Sequence, residues 1–294
     1  MTKIVIFGAN GQLGKDFFTS LRKEDSFETY PFTKNDCDIT DFKKVNNGIK
    51  SINPDYVINC AAYTKVDDAE DSNLIANQIN HLAVENLSNL SNLLGFTLIH
   101  FSTDYVYDSN DAYPISEDDR KKPINIYAKT KLDGDNKIES KCNKFYIFRV
   151  GWVYGKYGDN FPKKILRAAK MNKEISVVND QIGSPTPTSL ISRTAIDIIK
   201  KNEERFGVYN ISPNLSCSWF EVANFILKKI EGNPRFALEK VLEITSNDLK
   251  SKAKRPSFSF LSNKKITNTF KIKTFHDWDY YLSHFIKDLL EENE

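Results

Sequence analysis

Tyr127 and Lys131 stand four residues apart in the run Tyr-Ala-Lys-Thr-Lys, which places a phenol and an ammonium group on one face of a helix. A phenol with an ordinary pKa near ~10 is a poor acid–base catalyst at neutral pH unless a nearby cation stabilises its ionised form. Tyr30 and Lys34 share this spacing, but Pro31 disfavours a helix there. We predict that Tyr127 and Lys131 are an acid–base pair. On spacing alone, a surface tyrosine packing on a lysine stem remains the alternative.

A second polar group, Ser102-Thr103-Asp104-Tyr105-Val106-Tyr107, follows the apolar run 98–101. We expect it at the carboxyl end of a parallel strand, where open α/β sheets bind their ligands. The Thr103 hydroxyl can donate a hydrogen bond to a substrate carbonyl oxygen there, although a polar turn would look similar. A proton donor, a carbonyl-orienting hydroxyl and a hydride donor together suffice to reduce a ketone without a metal.

The glycine-rich run Gly8-Ala-Asn-Gly11-Gln-Leu-Gly14 indicates where the hydride donor binds. It lies between a short apolar strand, residues 3–7, and a helical pattern with Phe17 and Leu21 on one face. Backbone N–H groups at such a helix N-terminus bind phosphate, and glycine lets the backbone approach a pyrophosphate. The context favours a dinucleotide cofactor over an ordinary tight turn.

The remaining pattern predicts the scaffold. Apolar runs at residues 27–32, 56–62, 98–103 and 145–150 alternate with helical patterns, which predicts an α/β fold with a Rossmann-type doubly wound parallel sheet. One long helix is expected from Asp68 to Gly95, with Ile75 in its apolar stripe. We assign residues 1–150 to a dinucleotide-binding domain and residues 151–294 mainly to a smaller C-terminal substrate-binding domain, from which some segments can return to the first.

Composition excludes several classes of protein. The net charge of +2 gives no global attraction to nucleic acid, and no apolar run is long enough to cross a membrane. The four cysteines form no C-x-x-C pair and the four histidines show no metal-ligand spacing, so we expect no metal site and a reducing, cytoplasmic location. The basic cluster at residues 250–255 is interpreted as a solvated loop.

Taken with these features, the sequence resembles the extended short-chain dehydrogenase/reductase superfamily and, within it, the dTDP-4-dehydrorhamnose reductases. Four segments carry the general resemblance: the glycine loop, Asn59-Cys-Ala-Ala-Tyr-Thr64-x-Val66-Asp67, and the two polar motifs above. Further matches lie downstream at Arg149-Val-Gly-Trp152-Val-Tyr154-Gly, Asn160-Phe161, Asp180-Gln181-x-Gly183-x-Pro185-Thr186 and Arg255-Pro256-x-x-Ser259-x-Leu261. The last three of these separate the dTDP-4-dehydrorhamnose reductases from other members of the superfamily. The resemblance covers nearly the whole chain.

The resemblance implies reduction of the C4 ketone of a dTDP-linked 6-deoxyhexose, giving dTDP-L-rhamnose for polysaccharide synthesis. Tyr127, Lys131 and Thr103 would be catalytic. The implied cofactor-binding residues are Gly8, Asn10, Gly11, Gln12, Leu13, Gly14, Thr33, Asp38, Ile39, Ala61, Ala62, Tyr63, Thr64, Tyr127 and Lys131. The implied substrate-binding residues are Thr103, Asp104, Tyr105, Trp152, Asn160, Phe161, Gln181 and Arg255.

Some choices stay open at the level of sequence. Thr33 and Lys34 follow the second strand where a ribose-binding acid often stands, so the cofactor is NADPH or NADH. Some members of the family form magnesium-bridged dimers, but Ser189 follows the Pro-Thr motif here and puts that bridge in doubt; a homodimer is still possible. The functional alternatives are a reductase or epimerase for another nucleotide-linked 4-keto sugar, and a non-catalytic nucleotide-binding regulatory subunit.

Overall fold

A six-stranded sheet forms the centre of the computed structural model, which describes residues 1–108, 113–272 and 275–291. In spatial order its strands are β10 (Gly207–Asn210), β5 (Phe145–Val150), β4 (Thr97–Thr103), β3 (Tyr56–Asn59), β1 (Thr2–Phe7) and β2 (Phe27–Phe32). Each neighbouring pair is parallel, which confirms the doubly wound Rossmann-type sheet. The strand order reverses between β1 and β3, and ligands of such sheets bind in the crevice at that point.

Helices cover both faces of this sheet. The eleven α-helices of the described residues are α1 (Gln12–Leu21), α2 (Phe42–Ile52), α3 (Val66–Asp71), α4 (Asn73–Asn77), α5 (Ala83–Leu94), α6 (Ile126–Lys141), α7 (Phe161–Met171), α8 (Thr188–Lys201), α9 (Trp219–Ile230), α10 (Lys264–Phe270) and α11 (Trp278–Glu291). Alternate residues of β1 enter different cores: Ile4 and Ile6 pack with α1, α8 and α10, whereas Val5 and Phe7 pack with α2, α5 and α6. Burial on both faces explains why residues 4–7 of β1 form a continuous apolar run.

The prediction of one helix from Asp68 to Gly95 is wrong. The chain leaves helical geometry at Ser72, between α3 and α4, and a π-helical turn at Gln78–Leu82 then precedes α5. Each interruption rotates the side chains that follow it about the helix axis. Residues that would share one face of a continuous helix therefore point in different directions. Ile75, expected in that stripe, is 54% exposed. Asn80 in the π-helical turn is buried and points towards the segment after β3.

Shorter elements make up most of the chain beyond residue 151. Three two-stranded sheets pair β6 (Val153–Tyr154) with β9 (Thr186–Pro187), β7 (Glu174–Val178) with β12 (Lys240–Ile244), and β8 (Ile182–Gly183) with β11 (Cys217–Ser218). Helices α7, α9 and α11 share a separate apolar core with them, while β10, α8 and α10 pack with the central sheet. The domain boundary near residue 150 stays a prediction. Across the described ranges, none of the helices combines the length and apolarity that spanning a bilayer requires.

Candidate active site

The glycine loop between β1 and α1 is shaped by close backbone contacts. Gly8 has a φ of +72°, and a Cβ there would lie 2.7 Å from the Ala61 nitrogen. A Cβ on Gly14 would lie 2.2 Å from the Gly8 carbonyl oxygen. Gly11 is the N-cap of α1, and no described side chain caps this helix. The first-turn N–H groups therefore face an open cradle with the positive end of the helix dipole, which fits a dinucleotide pyrophosphate.

Gln12 and Asn160 bind each other across the cleft. The Gln12 amide donates to the Val153 carbonyl oxygen at 3.2 Å, and its oxygen accepts from the Asn160 amide at 2.8 Å. Asn160 also caps α7 by accepting from the Lys163 N–H group at 3.2 Å. Sequence matching placed one residue on the cofactor and the other on the substrate. Their contact ties the start of α1 to the segment that begins α7.

The segment after β3 is held at both ends by buried amides. The Asn59 side-chain oxygen accepts from the Ala61 N–H group at 3.1 Å, and Asn80 binds both the N–H and the carbonyl of Tyr63, at 2.9 and 3.0 Å. Ala62 and Thr64 are exposed between these anchors. The segment therefore presents a fixed, open edge opposite the glycine loop.

The end of β2 holds the Asp36 carboxylate directly beside Thr33. The Thr33 hydroxyl and N–H both donate to the Asp36 carboxylate, at 2.6 and 3.0 Å, and these bonds hold the pKa of Asp36 below its usual value. Asp38 accepts from the Thr40 N–H and hydroxyl groups, while Ile39 is buried in the core beside α2. A neutral threonine is thus accompanied by a fixed carboxylate.

Tyr127 lies at the start of α6 beside the carboxyl end of β4. Helix α6 is capped by Asn125, whose side chain accepts from the Ala128 N–H group at 2.8 Å. Burial raises the pKa of Tyr127 to about 12, while a hydrogen bond with Thr103 acts to lower it. The phenol stays protonated near neutral pH and can serve as a proton donor. The structure thus brings Tyr127 and Thr103 together, but the predicted lowering of the Tyr127 pKa by Lys131 is wrong: the Lys131 ammonium group is turned towards His100 and the Phe101 carbonyl oxygen.

Asp104 sets the orientation of the Thr103 hydroxyl. That hydroxyl donates to the buried Asp104 carboxylate at 3.0 Å and accepts from the Tyr105 N–H group at 3.2 Å. Burial raises the pKa of Asp104 to about 6, against hydrogen bonds from Ser259 and Thr103 that lower it. Asp104 therefore acts on the reacting centre through Thr103.

Lys131 is buried on the inner face of α6. Its ammonium group donates to the Phe101 carbonyl oxygen at 2.6 Å and lies 3.0 Å from the His100 Nε2 atom. Burial lowers the pKa of Lys131 to about 8, although the charges of Asp135 and Cys60 act to raise it. Sequence reasoning missed His100 as a neighbour. The period-two pattern of β4 was the available signal, because it places His100 and Ser102 on one face of the strand.

Deprotonation of Lys131 should produce the alkaline limb of the pH profile of kcat/KM. As the pH rises above about 8, free enzyme loses the Lys131 charge that we expect catalysis to need, whereas Tyr127, with a pKa of about 12, keeps its proton. We expect kcat/KM to fall about tenfold per pH unit above that point, as for loss of one proton. Lys131→Met should have low activity at every pH and lack this limb. A limb that persists in Lys131→Met would assign it to another group.

Three aromatic side chains, Trp152, Trp219 and Phe161, pack together directly after β5. Trp152 has a φ of +49°, a strained value for a residue with a side chain. Its ring stacks on Trp219 at 3.5 Å between centroids, and Phe161 contacts Trp219 at 4.3 Å. A Cβ on Gly183 would lie 2.5 Å from the Trp152 ring, so β8 passes directly against it. Gln181 donates to the Ser246 hydroxyl at 2.9 Å near the same strand. Trp219 had no counterpart among the sequence predictions.

Arg255 belongs to the basic segment that was interpreted as a solvated loop. Its guanidinium group forms two hydrogen bonds with the Asp67 carboxylate, at 2.7 and 3.3 Å. Lys252 of the same segment pairs with Asp71 on α3. Burial acts to lower the pKa of Arg255, but the bonds from Asp67 and Tyr105 outweigh it. At least these two cations of the segment are therefore engaged with α3.

The doubly wound sheet, the uncapped glycine loop, and Tyr127 and Lys131 on α6 beside β4 define a protein of the short-chain dehydrogenase/reductase class. A protein-family model described as the RmlD substrate binding domain matches residues 1–291, so this chain belongs to that family. The dTDP-4-dehydrorhamnose reductase of Escherichia coli K12 is 32% identical over 293 residues, 97% of each chain.

Solved structures agree with this placement. A dTDP-4-dehydrorhamnose reductase from Clostridium acetobutylicum has a TM-score of 0.92 at 34% identity, covering 99% of this chain and 100% of the other. One from Bacillus anthracis, solved in complex with NADP, has a TM-score of 0.91 at 35% identity, covering 98% and 100%.

Proposed function

We propose that this protein reduces the C4 ketone of dTDP-4-dehydro-L-rhamnose to dTDP-L-rhamnose with NADPH or NADH. The observation that carries the proposal is the half-buried Tyr127 phenol, hydrogen bonded to Thr103 at the end of β4, in a chain whose relatives are reductases of this substrate. The open cradle at Gly11 and the uncapped start of α1 suit the pyrophosphate of the cofactor. The product serves the synthesis of rhamnose-containing polysaccharide.

Each side chain has a defined part in this reaction. The glycine loop and residues 61–64 would hold the cofactor, which would supply the hydride for C4. Tyr127 donates its proton to the oxygen as negative charge develops there, and the Thr103 hydroxyl orients that oxygen by turning its single proton away from Asp104 and towards it. Lys131 supplies positive charge between α6 and β4, and its hydrogen bond to the Phe101 carbonyl oxygen fixes the position of the ammonium group. Trp152 and Arg255 hold the sugar nucleotide, the first by its ring and the second by contacts to diphosphate oxygens, which suit a guanidinium fork.

Oxidation of NADPH and NADH against a panel of nucleotide-linked 4-keto sugars tests the proposal. We expect steady turnover with dTDP-4-dehydro-L-rhamnose and dTDP-L-rhamnose as the product. Preference for a different 4-keto sugar, or a product of other C4 stereochemistry, would indicate the related reductase or epimerase. Cofactor binding without turnover on any sugar would indicate a regulatory subunit.

Cofactor choice should depend on Asp36. Its carboxylate, held by Thr33 at the end of β2, would repel a 2′-phosphate and so favour NADH. The positive charge of Lys34 acts in the opposite direction, but its side chain is 78% exposed and lies 3.8 Å from Asp38. We expect the parent to accept both cofactors and Asp36→Asn to shift the ratio of kcat/KM values towards NADPH by up to about tenfold at low salt. An unchanged ratio would show that this carboxylate does not face the ribose. Asp25→Asn, at an exposed position on the turn before β2, removes the same charge and is the matched control.

We further propose a cytoplasmic location. All four cysteines, Cys37, Cys60, Cys142 and Cys217, are free, which suits a reducing compartment. A homodimer stays a prediction, to be tested by sedimentation.

A further inference from the structure

The contact between Asp67 and Arg255 joins two parts of the cleft that sequence reasoning kept apart. Asp67 lies in the first turn of α3, directly after the segment 61–64 that we assign to the cofactor. Arg255 lies in the C-terminal part of the chain, 188 residues away, among residues that we assign to the substrate. Both side chains are partly sheltered, with 40% of Asp67 and 22% of Arg255 exposed. A pair with two hydrogen bonds in such a setting fixes the orientation of the guanidinium group.

Further bonds fix the segment around Arg255. The Ala253 N–H group donates to the Asp67 carboxylate at 3.0 Å, and the Ala253 side chain is buried. The Asn125 amide, at the cap of α6, donates to the Lys254 carbonyl oxygen at 2.8 Å. The segment therefore crosses from α3 to the start of the helix that carries Tyr127. Its position depends on α3 on one side and on α6 on the other.

Arg255 also reaches the reacting end of the site. A hydrogen bond with Tyr105 contributes to the raised pKa of Arg255, and the Tyr105 ring packs edge-on against the Tyr127 ring at 6.1 Å between centroids. Asp67 occupies two of the five N–H donors of the guanidinium group through one edge. The Ala253 carbonyl oxygen accepts a third N–H at 3.2 Å and Tyr105 a fourth, which leaves one donor for a phosphate oxygen, and the carboxylate behind the guanidinium group sets its direction.

We propose that Asp67 is a positioning residue that couples the cofactor half of the cleft to the diphosphate of the substrate. A cofactor lying along residues 61–64 restricts the start of α3, and α3 in turn fixes Arg255 through Asp67. The diphosphate then meets an arginine that is already oriented, so it loses less conformational freedom on binding. The coupling is reciprocal, because each ligand changes the affinity of the other by the same factor. This inference rests on the proposed function, since it takes a dTDP-linked sugar as the substrate.

Calorimetry with dTDP as the probe tests the coupling. We expect the parent to bind dTDP at least about fivefold more tightly when saturated with NADP⁺ than when free of cofactor, within the usual range of coupling between sites. Asp67→Asn should lose about tenfold in dTDP affinity with NADP⁺ present and should reduce the coupling factor to below about two. The affinity for dTMP, which lacks the second phosphate, should change little in this variant.

Two further variants separate positioning from folding. Asp71→Asn removes the partner of Lys252 in the same segment but leaves Arg255 paired, and it should keep the parental coupling. Arg255→Lys keeps the charge but loses the two-pronged geometry, and it should behave like Asp67→Asn. Circular dichroism and thermal unfolding confirm that each variant is folded.

The outcomes distinguish this inference from the proposed function. Equal dTDP affinity with and without NADP⁺ in the parent, or full coupling in Asp67→Asn, would overturn the role of Asp67 while leaving the reductase assignment intact. A parent that binds no dTDP under any condition would overturn both.

Discussion

Replacing Tyr127 by phenylalanine is expected to lower kcat by about 10²–10⁴-fold, the usual contribution of a positioned general acid. The substitution removes the hydroxyl that meets Thr103 but keeps the ring that packs against Tyr105. Cofactor affinity should therefore change little, and the loss should appear in kcat rather than in KM. Steady-state kinetics with the 4-keto sugar and calorimetry with NADPH measure the two effects separately.

Tyr30 offers a matched control for this prediction. It has the same Tyr-x-x-x-Lys spacing, but it lies in β2, and its hydroxyl donates to Glu28 at 2.6 Å. Tyr30→Phe makes the same chemical change away from Thr103 and should keep parental turnover. Near-parental turnover in Tyr127→Phe would remove Tyr127 from the role of acid.

Replacing Gly11 by valine is expected to weaken NAD(P)H binding by more than about 10²-fold, because the added methyl groups would enter the space of the pyrophosphate. The three glycines of the loop are not equivalent. A Cβ on Gly8 or Gly14 would strike backbone atoms of the protein itself, at 2.7 and 2.2 Å, so substitutions there damage the fold. A Cβ on Gly11 meets only the Gly8 oxygen, at 3.2 Å, and otherwise faces open space. Gly11 is therefore the position that tests cofactor binding.

Calorimetry with NADPH checks this expectation, and thermal unfolding must show that the variant is still folded. Gly11→Ala, with a single methyl group, should give an intermediate loss. Parental affinity in Gly11→Val would mean that the pyrophosphate does not lie over the start of α1.

Local patterns predicted five of the six strands of the central sheet, and β10 was not among them. Strands β1, β4 and β5 are largely buried runs rich in apolar residues, whereas β2, at the edge of the sheet, is half-buried throughout. The break at Ser72 and the π-helical turn were not predicted, because neither has a local signature as strong as proline or glycine. They are stabilised by tertiary contacts instead: the Asn80 side chain meets Tyr63, 17 residues earlier in the chain.

The candidate active site likewise combines residues that local sequence patterns predict with contacts that depend on tertiary packing. The glycine loop and the pair Tyr127 and Lys131 have fixed local spacings, so a single sequence can point to them. The contacts of Gln12 with Asn160 and of Asp67 with Arg255 join residues 148 and 188 positions apart. Polar partners at such separations depend on how the C-terminal segments pack on the sheet, and the sequence alone carries no spacing rule for that packing.

The stacked tryptophans give the protein an internal optical signal. The chain has three tryptophans, and two of them, Trp152 and Trp219, are nearly parallel, with an angle of 7° between their rings. Indoles stacked this closely couple electronically, so their fluorescence and circular dichroism differ from those of isolated indoles. A sugar nucleotide that touches Trp152 would alter this coupling, while Trp278, against Phe225, supplies a constant background. Substrate binding can therefore be followed in the unlabelled protein, without turnover.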